Sequence, residues 1–289
     1  MDSRWFSPVV VLLWVATMGW LTMDKVLPQL REGDPPTYRA LFDQLDDGPV
    51  IWDLYVNERA VGRSKSEMKK LDNGGLQIKT ELALMSQLSL SELLPESLRL
   101  TFLPELNRLP AKGAQIDSQL EVNRSGRLLG MEATLRWGDF VDVLRISGAV
   151  VDNELQLVTQ VNKVSLPPIK IPLSSETQLV ESFAPQSRLM GLRLGQSWTM
   201  PVFSPLQPAT PVEVLQAVVA REEPIFWDGH ICSTLVVEYR KGSGAGGAQE
   251  IRGRMWVRID GLVLKQQATL LTSQLVFVRQ TKDEERGIP

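Results

Sequence analysis

The sequence predicts a mainly β protein, a large antiparallel sheet with short covering helices, preceded by one N-terminal transmembrane helix. Three observations predict it. From residue 50 onward, apolar and polar residues alternate in short runs separated by hairpin turn signals. Prolines crowd residues 165–211 and divide those runs into two halves. Residues 5–23 (WFSPVVVLLWVATMGWLTM) form a run without a charge, followed at once by Asp24 and Lys25.

At about 1.5 Å per helical residue, that first run approaches the ~30 Å of a bilayer core. Trp5 and Trp20 lie near its two ends, where indole rings favour the headgroup level. Residues 15–20 (VATMGW) offer no clean A-x-A cleavage site, and the only cysteine, Cys232, is far away, so no lipobox exists to be acylated. Residues 1–25 are therefore read as a retained membrane anchor. Charge does not orient it, because Arg4 and the terminal amine oppose Lys25, Arg31 and Arg39. Residues 26–49 read as a short helical collar: a helix opens after Pro35 and Pro36, stops at Gly48, and carries Tyr38, Leu41, Phe42 and Leu45 on one face.

The first β half spans residues 50–164. Residues 50–56 alternate, residues 57–62 (NERAVG) supply a turn, and residues 63–70 return as the second strand of a hairpin. Residues 72–75 (DNGG) are the clearest hairpin turn in the chain and lead into a strand over 76–84. Residues 91–109 carry a helical face, yet Pro95 and Pro104 break it into short helical pieces covering a sheet. Residues 115–161 read as a meander with turns at 124–126, 137–139 and 152–153.

Residues 165–211 then read as a Pro-rich crossover, and residues 212–281 as a second β half before a charged tail, 282–289. An internal echo supports the division: residues 125–135 (SGRLLGMEATL) and 260–270 (DGLVLKQQATL) share a Gly turn and an Ala-Thr-Leu at the same spacing.

Composition excludes several functions. The formal charge is −3 and no Lys/Arg block stands out, which argues against nucleic acid as the main partner. A single cysteine allows no internal disulfide and no cysteine-based structural zinc site. A single histidine, His230, rules out a multi-histidine metal site, and no D-x-D-x-D-G calcium loop occurs. No metal and no cofactor is expected.

The motifs that do occur are weak. Gly242, Gly244 and Gly247 match the letter of G-x-G-x-x-G, but residues 250–259 alternate like a strand, whereas pyrophosphate binding needs a helix there. A hairpin loop is the expectation. Ser66 and Lys69 match S-x-x-K without its companion motifs, on a strand expected to be solvated. His230 lies in a turn (WDGH) with no recognisable nucleophile context, and Cys232 reads as a small buried apolar residue. What remains is shape: a β body with aromatic and aliphatic residues on alternating positions suits an apolar ligand held between a sheet and covering helices.

Three stretches carry a resemblance. Residues 51–64 (IWDLYVNERAVGRS) are similar to the opening hairpin of a diffuse set of bacterial exported proteins of unassigned function. Residues 192–205 (LRLGQSWTMPVFSP) resemble their L-x-x-G-Q-x-W segment, and residues 255–268 (MWVRIDGLVLKQQA) their closing hairpin. The last also resembles periplasmic lipoprotein carriers of the half-barrel type. The resemblance implies an extracytoplasmic twisted antiparallel sheet or half-barrel and, in the carriers, binding of acyl chains. This chain departs from the carriers in keeping its anchor, which argues against a diffusing shuttle. No catalytic residues carry over.

The expected function is thus a non-enzymatic binding or accessory module anchored in the cytoplasmic membrane, with its body outside the cytoplasm and a lipid, lipoprotein or membrane-protein partner. Trp52, Trp198 and Trp256 are the expected lining of any groove. The rival expectations are a hydrolase using Ser66 or His230 and a structural subunit of a membrane complex.

Overall fold

The computed structural model describes residues 13–14, 16–20, 48–85, 113–125, 127–138, 140–161, 164–173, 180–181, 185–203, 212–242, 250–270 and 273–281. The collar helix, the covering helical pieces over 91–109 and the charged tail fall outside them. Of the uncharged N-terminal run, residues 13–14 and 16–20 are helical and all exposed. No helix among the described residues is long and apolar enough to cross a membrane.

The first half and the start of the crossover supply β1 (Val50–Val56), β2 (Arg59–Lys70), β3 (Leu76–Leu84), β4 (Ala114–Val122), β5 (Leu128–Trp137), β6 (Phe140–Val151), β7 (Glu154–Val161), β8 (Val164–Ser165) and β9 (Ile169–Pro172). The rest of the crossover and the second half supply β10 (Val180–Glu181), β11 (Ser197–Phe203), β12 (Val212–Trp227), β13 (His230–Lys241), β14 (Glu250–Arg258), β15 (Val263–Leu270) and β16 (Ser273–Arg279). Local chemistry sets the tightest hairpins. Asn57–Glu58, Asp152–Asn153 and Asp228–Gly229 all have positive φ at both turn residues, the twist that matches two-residue hairpins.

The sixteen strands among the described residues form one open sheet in the order β10-β11-β12-β13-β14-β15-β16-β1-β2-β3-β4-β5-β6-β7-β8, with β9 paired to β7. Each pairing is antiparallel except the short β10–β11 contact. The halves are thus consecutive meanders joined in reverse order, the last described strand lying beside the first (Leu54↔Phe277, Val56↔Leu275). Counted from β1 and from β11, the echoed segments fall at the same place, the turn into the fifth strand and that strand itself.

The crossover is more regular than its prolines suggest. It contributes β9 to one edge of the sheet and β10 and β11 to the other, and Pro172 and Pro201 lie within strands. An edge or near-edge position tolerates the missing donor, which a central strand does not.

Alternation divides the sheet into two faces. On the face termed inner, one apolar cluster runs from Trp198 and Met200 on β11 to Leu135 and Trp137 on β5, through Trp52, Leu54 and Phe277. A second cluster on β3–β7 holds Leu76, Val122, Met131, Leu155 and Leu157. Large and small residues alternate in register: Trp198 faces Ala217, Ala217 faces Tyr239, and Tyr239 faces Gly253. Burying this face supplies the main stabilisation of a body without disulfides.

Candidate ligand-binding face

The two inner clusters are separated by hydroxyl groups. One register row reads Val50↔Ser66↔Thr80↔Ser118↔Ala133, crossing five strands with small residues. Ser64 lies on the same face beside Ser66, and all four hydroxyl residues are buried. Leu82, Ile116 and Leu135 border the row on one side, and Ile78, Leu120 and Met131 on the other. Ser66, expected on a solvated face, is in fact 5% exposed. The strand does have a solvated side, but Arg63, Lys65 and Lys69 occupy it.

Trp52 sits between Arg279 on β16 and Ser64 on β2. The Arg279 guanidinium lies 5.8 Å from the Trp52 ring centroid and donates to the Ser187 carbonyl at 3.1 Å. Residues 185–190 of the crossover are tied in here. The Gln186 amide donates to Gln266 Oε1 (3.1 Å), Leu189 joins the inner cluster, and Arg188 bridges to Leu262. Five buried polar atoms on these segments have no hydrogen-bond partner: Trp52 Nε1, Ser64 Oγ, Gln186 Oε1, Ser187 Oγ and Gln280 Oε1. A buried unpaired donor or hydroxyl costs about 1–3 kcal/mol, so such atoms mark a place where a polar group from outside the chain would be stabilising.

Trp198 belongs to the same inner cluster as Trp52. Trp256 does not. Met255 and Val257 face inward, so Trp256 points to the outer face, and the three tryptophans line no common surface. A bulge between Trp256 and Val257 places both Leu264 and Lys265 on the outer side of β15. Trp256 Nε1 donates to Glu223 Oε1 at 3.0 Å, and Lys265 Nζ stands 4.7 Å from its ring centroid. The Trp256 hydrogen bond, with Arg221 beside it, holds the Glu223 carboxyl below the usual carboxylate range.

Next to it, Glu238 receives Arg221 (2.9 Å), Arg240 (2.8 Å) and Arg254 (3.3 Å). Burial alone would raise the Glu238 pKa, but Arg240, Arg221 and Arg254 outweigh it and hold the carboxyl below its usual range. This network is saturated by its own charges and reads as structural.

The other candidates are dispersed. Ser66 faces inward, while Lys69, three residues on, lies on the opposite side and pairs with Glu67 (3.1 Å). The S-x-x-K spacing suits a helix and fails on a strand of period two. His230 is exposed, and its Nδ1 lies 2.6 Å from the Asp228 carbonyl of its own turn. Cys232 is buried with Leu262 and Leu264, as expected. Glu250–Arg258, after the glycines, is a strand paired to β13, so no helix follows to receive a phosphate. No group of three or more potential metal ligands occurs among the described residues.

Trp52 is legible in the sequence as a lining residue, but the hydroxyl row and Ser64 beside it are not. The signal available was Ser64, Ser66, Thr80 and Ser118 on the apolar phase of strands, readable only once register is known.

No family model matches the chain, and no curated protein matches it. Among solved structures, the chain is similar to a beta-barrel-like protein of the domain of unknown function DUF1849 from Brucella abortus. The identity is 11% and the TM-score 0.43, over 81% of this chain and 95% of that one.

Proposed function

We propose that this protein is a non-enzymatic binding module, tethered to the cytoplasmic membrane by residues 5–23 with its β body outside the cytoplasm, which receives an amphiphilic ligand such as an acyl chain on its inner face. The observation that carries the reading is the pairing of Trp52 with Ser64. Two unpaired buried polar groups stand side by side, flanked by apolar clusters and by a row of small hydroxyl residues. An ester or amide carbonyl would accept from the indole and hydroxyl, while its chain lies along the apolar side chains. The tether is supported by the uncharged run itself and by the exposure of all its described residues, among them Leu13, Trp14, Met18 and Trp20.

Native mass spectrometry of the full chain, released from detergent micelles, tests the reading. A co-purified lipid or acylated adduct that diminishes in Ser64→Leu, which replaces the hydroxyl beside Trp52 with a bulkier apolar side chain, is the expected result. A clean apo mass from freshly prepared membranes, with folding verified by circular dichroism, overturns it.

A further inference from the structure

The β12–β13 hairpin projects past its neighbours. Its last pair is Trp227↔His230, whereas the ladder to β14 stops at Thr234↔Arg258. About four residue pairs therefore extend beyond, roughly 13 Å at ~3.3 Å per residue. One side of the projection is held to the body. Ile225, Trp227 and Cys232 pack with Leu262 and Leu264, Trp227 Nε1 donates to the Arg279 carbonyl at 2.9 Å, and the Arg258 guanidinium lies 5.8 Å from the Trp227 ring centroid. The other side presents Phe226 and Ile231, a direct cross-strand pair, each 75% exposed. At the adjacent β14–β15 turn, Ile259 is 90% exposed.

Three large apolar side chains at the tips of two neighbouring hairpins are unfavourable in water, and the docking of the opposite side keeps them from turning inward. Their place in the fold says what would cover them. Trp52, near the start of β1, pairs with Arg279, whose carbonyl holds Trp227. β1 therefore begins at the end of the sheet that carries the apolar tips, and the uncharged run precedes β1 in the sequence. Around them Glu222, Asp228 and Asp260 outnumber Arg221 and Arg258, so the local charge offers anionic headgroups no attraction.

We infer that Phe226, Ile231 and Ile259 insert into the interfacial layer of the lipid bilayer, seating this end of the sheet on the membrane. The inference rests on the tether proposed above. Insertion is driven by apolar contact, so it persists in zwitterionic lipid and at high salt.

The test uses the full chain with Cys232→Ser, reconstituted in phosphatidylcholine nanodiscs with brominated acyl chains. A single environment-sensitive fluorophore is attached at Leu13→Cys, Phe226→Cys, Ile259→Cys or Glu58→Cys, the last in the β1–β2 turn at the far end of the strands. Bromolipid quenching at 13, 226 and 259, with none at 58, is expected, unchanged between 50 mM and about 500 mM salt. Quenching at 13 without quenching at 226 and 259 overturns this inference and leaves the tether intact. Probes at 226 and 259 that are shielded from aqueous iodide yet unquenched by bromolipid also overturn it, and indicate a protein partner. No quenching at 13 overturns the tether. Position 259 keeps the test decisive if Phe226→Cys fails to fold.

Discussion

Trp52 on β1 and Ser64 on β2 face each other across the ladder, and each carries a buried polar atom without a hydrogen-bond partner. Neighbouring unpaired groups in a sheet that is otherwise closely alternated are a defect for stability alone. Their removal separates stability from binding. Ser64→Ala is expected to leave the ligand-free protein unchanged or up to about 1 kcal/mol more stable, because a desolvated hydroxyl is deleted. The same variant is expected to retain less ligand. Chemical denaturation of delipidated protein, alongside extraction of bound lipid, checks both; a loss of stability above ~1 kcal/mol would show that the hydroxyl is satisfied.

Glu238 gives a pH dependence. Its folded-state pKa is lowered, with the arginines outweighing burial, so its contribution is present above the unfolded value of about 4.3 and is lost as pH falls through the lower folded value. Wild-type stability is expected to decline below about pH 4.5. In Glu238→Gln the decline should be shallower, and stability at pH 7 lower by about 1–3 kcal/mol. That is less than the 3–5 for a fully buried pair, because the arginines remain about a third exposed or more. Urea denaturation at stepped pH measures it.

Trp256→Phe keeps most of the packing and removes the donor to Glu223. A charge-assisted hydrogen bond of this kind contributes about 1.5–3 kcal/mol where it is shielded, and Glu223 is partly exposed, so a loss of about 1–2 kcal/mol is expected. The Glu223 carboxyl should titrate closer to the ordinary range, which carboxyl-detected NMR would resolve.

Gly62 lies opposite Leu54, and a Cβ placed there would meet the backbone carbonyl of Ala83 on the neighbouring strand. A carbonyl in a ladder does not rotate aside as a side chain does. Gly62→Ala is therefore expected to cost about 2 kcal/mol or more and to loosen the β1–β2–β3 region, seen as faster amide exchange there. At Gly148 the nearest atoms a Cβ would meet belong to the side chains of Leu157, Leu155 and Met131, not to the backbone, and Gly148→Ala should cost less.

Trp227→Phe deletes the indole bond to the Arg279 carbonyl and thins the contact with Arg258. The hairpin tip from 224 to 233 is expected to exchange its amides at least several-fold faster, while the β13–β14 ladder from Thr234 onward holds its protection. Uniform loss across both would mean that the tip and the ladder open as one unit.

The sequence alone determined the local structure. Strand β3, the turns around residues 72–75, 152–153 and 228–229, and burial of Cys232 follow from alternation and from residues that tolerate positive φ, because both are written within a few neighbouring positions. Only the tertiary structure decided what faces what. Trp52 and Trp256 look alike on alternating strands, yet they lie on opposite faces, since a bulge and the ladder to distant strands fix the phase. Ser66 read as solvated because its neighbours are charged, but pairing with Val50 and Thr80 turns it inward. The β16–β1 junction, which joins the two halves into one sheet, rests on burying Leu54 against Phe277 more than two hundred residues apart. Burial of a shared face selects such registers, and that face does not exist until the sheet assembles.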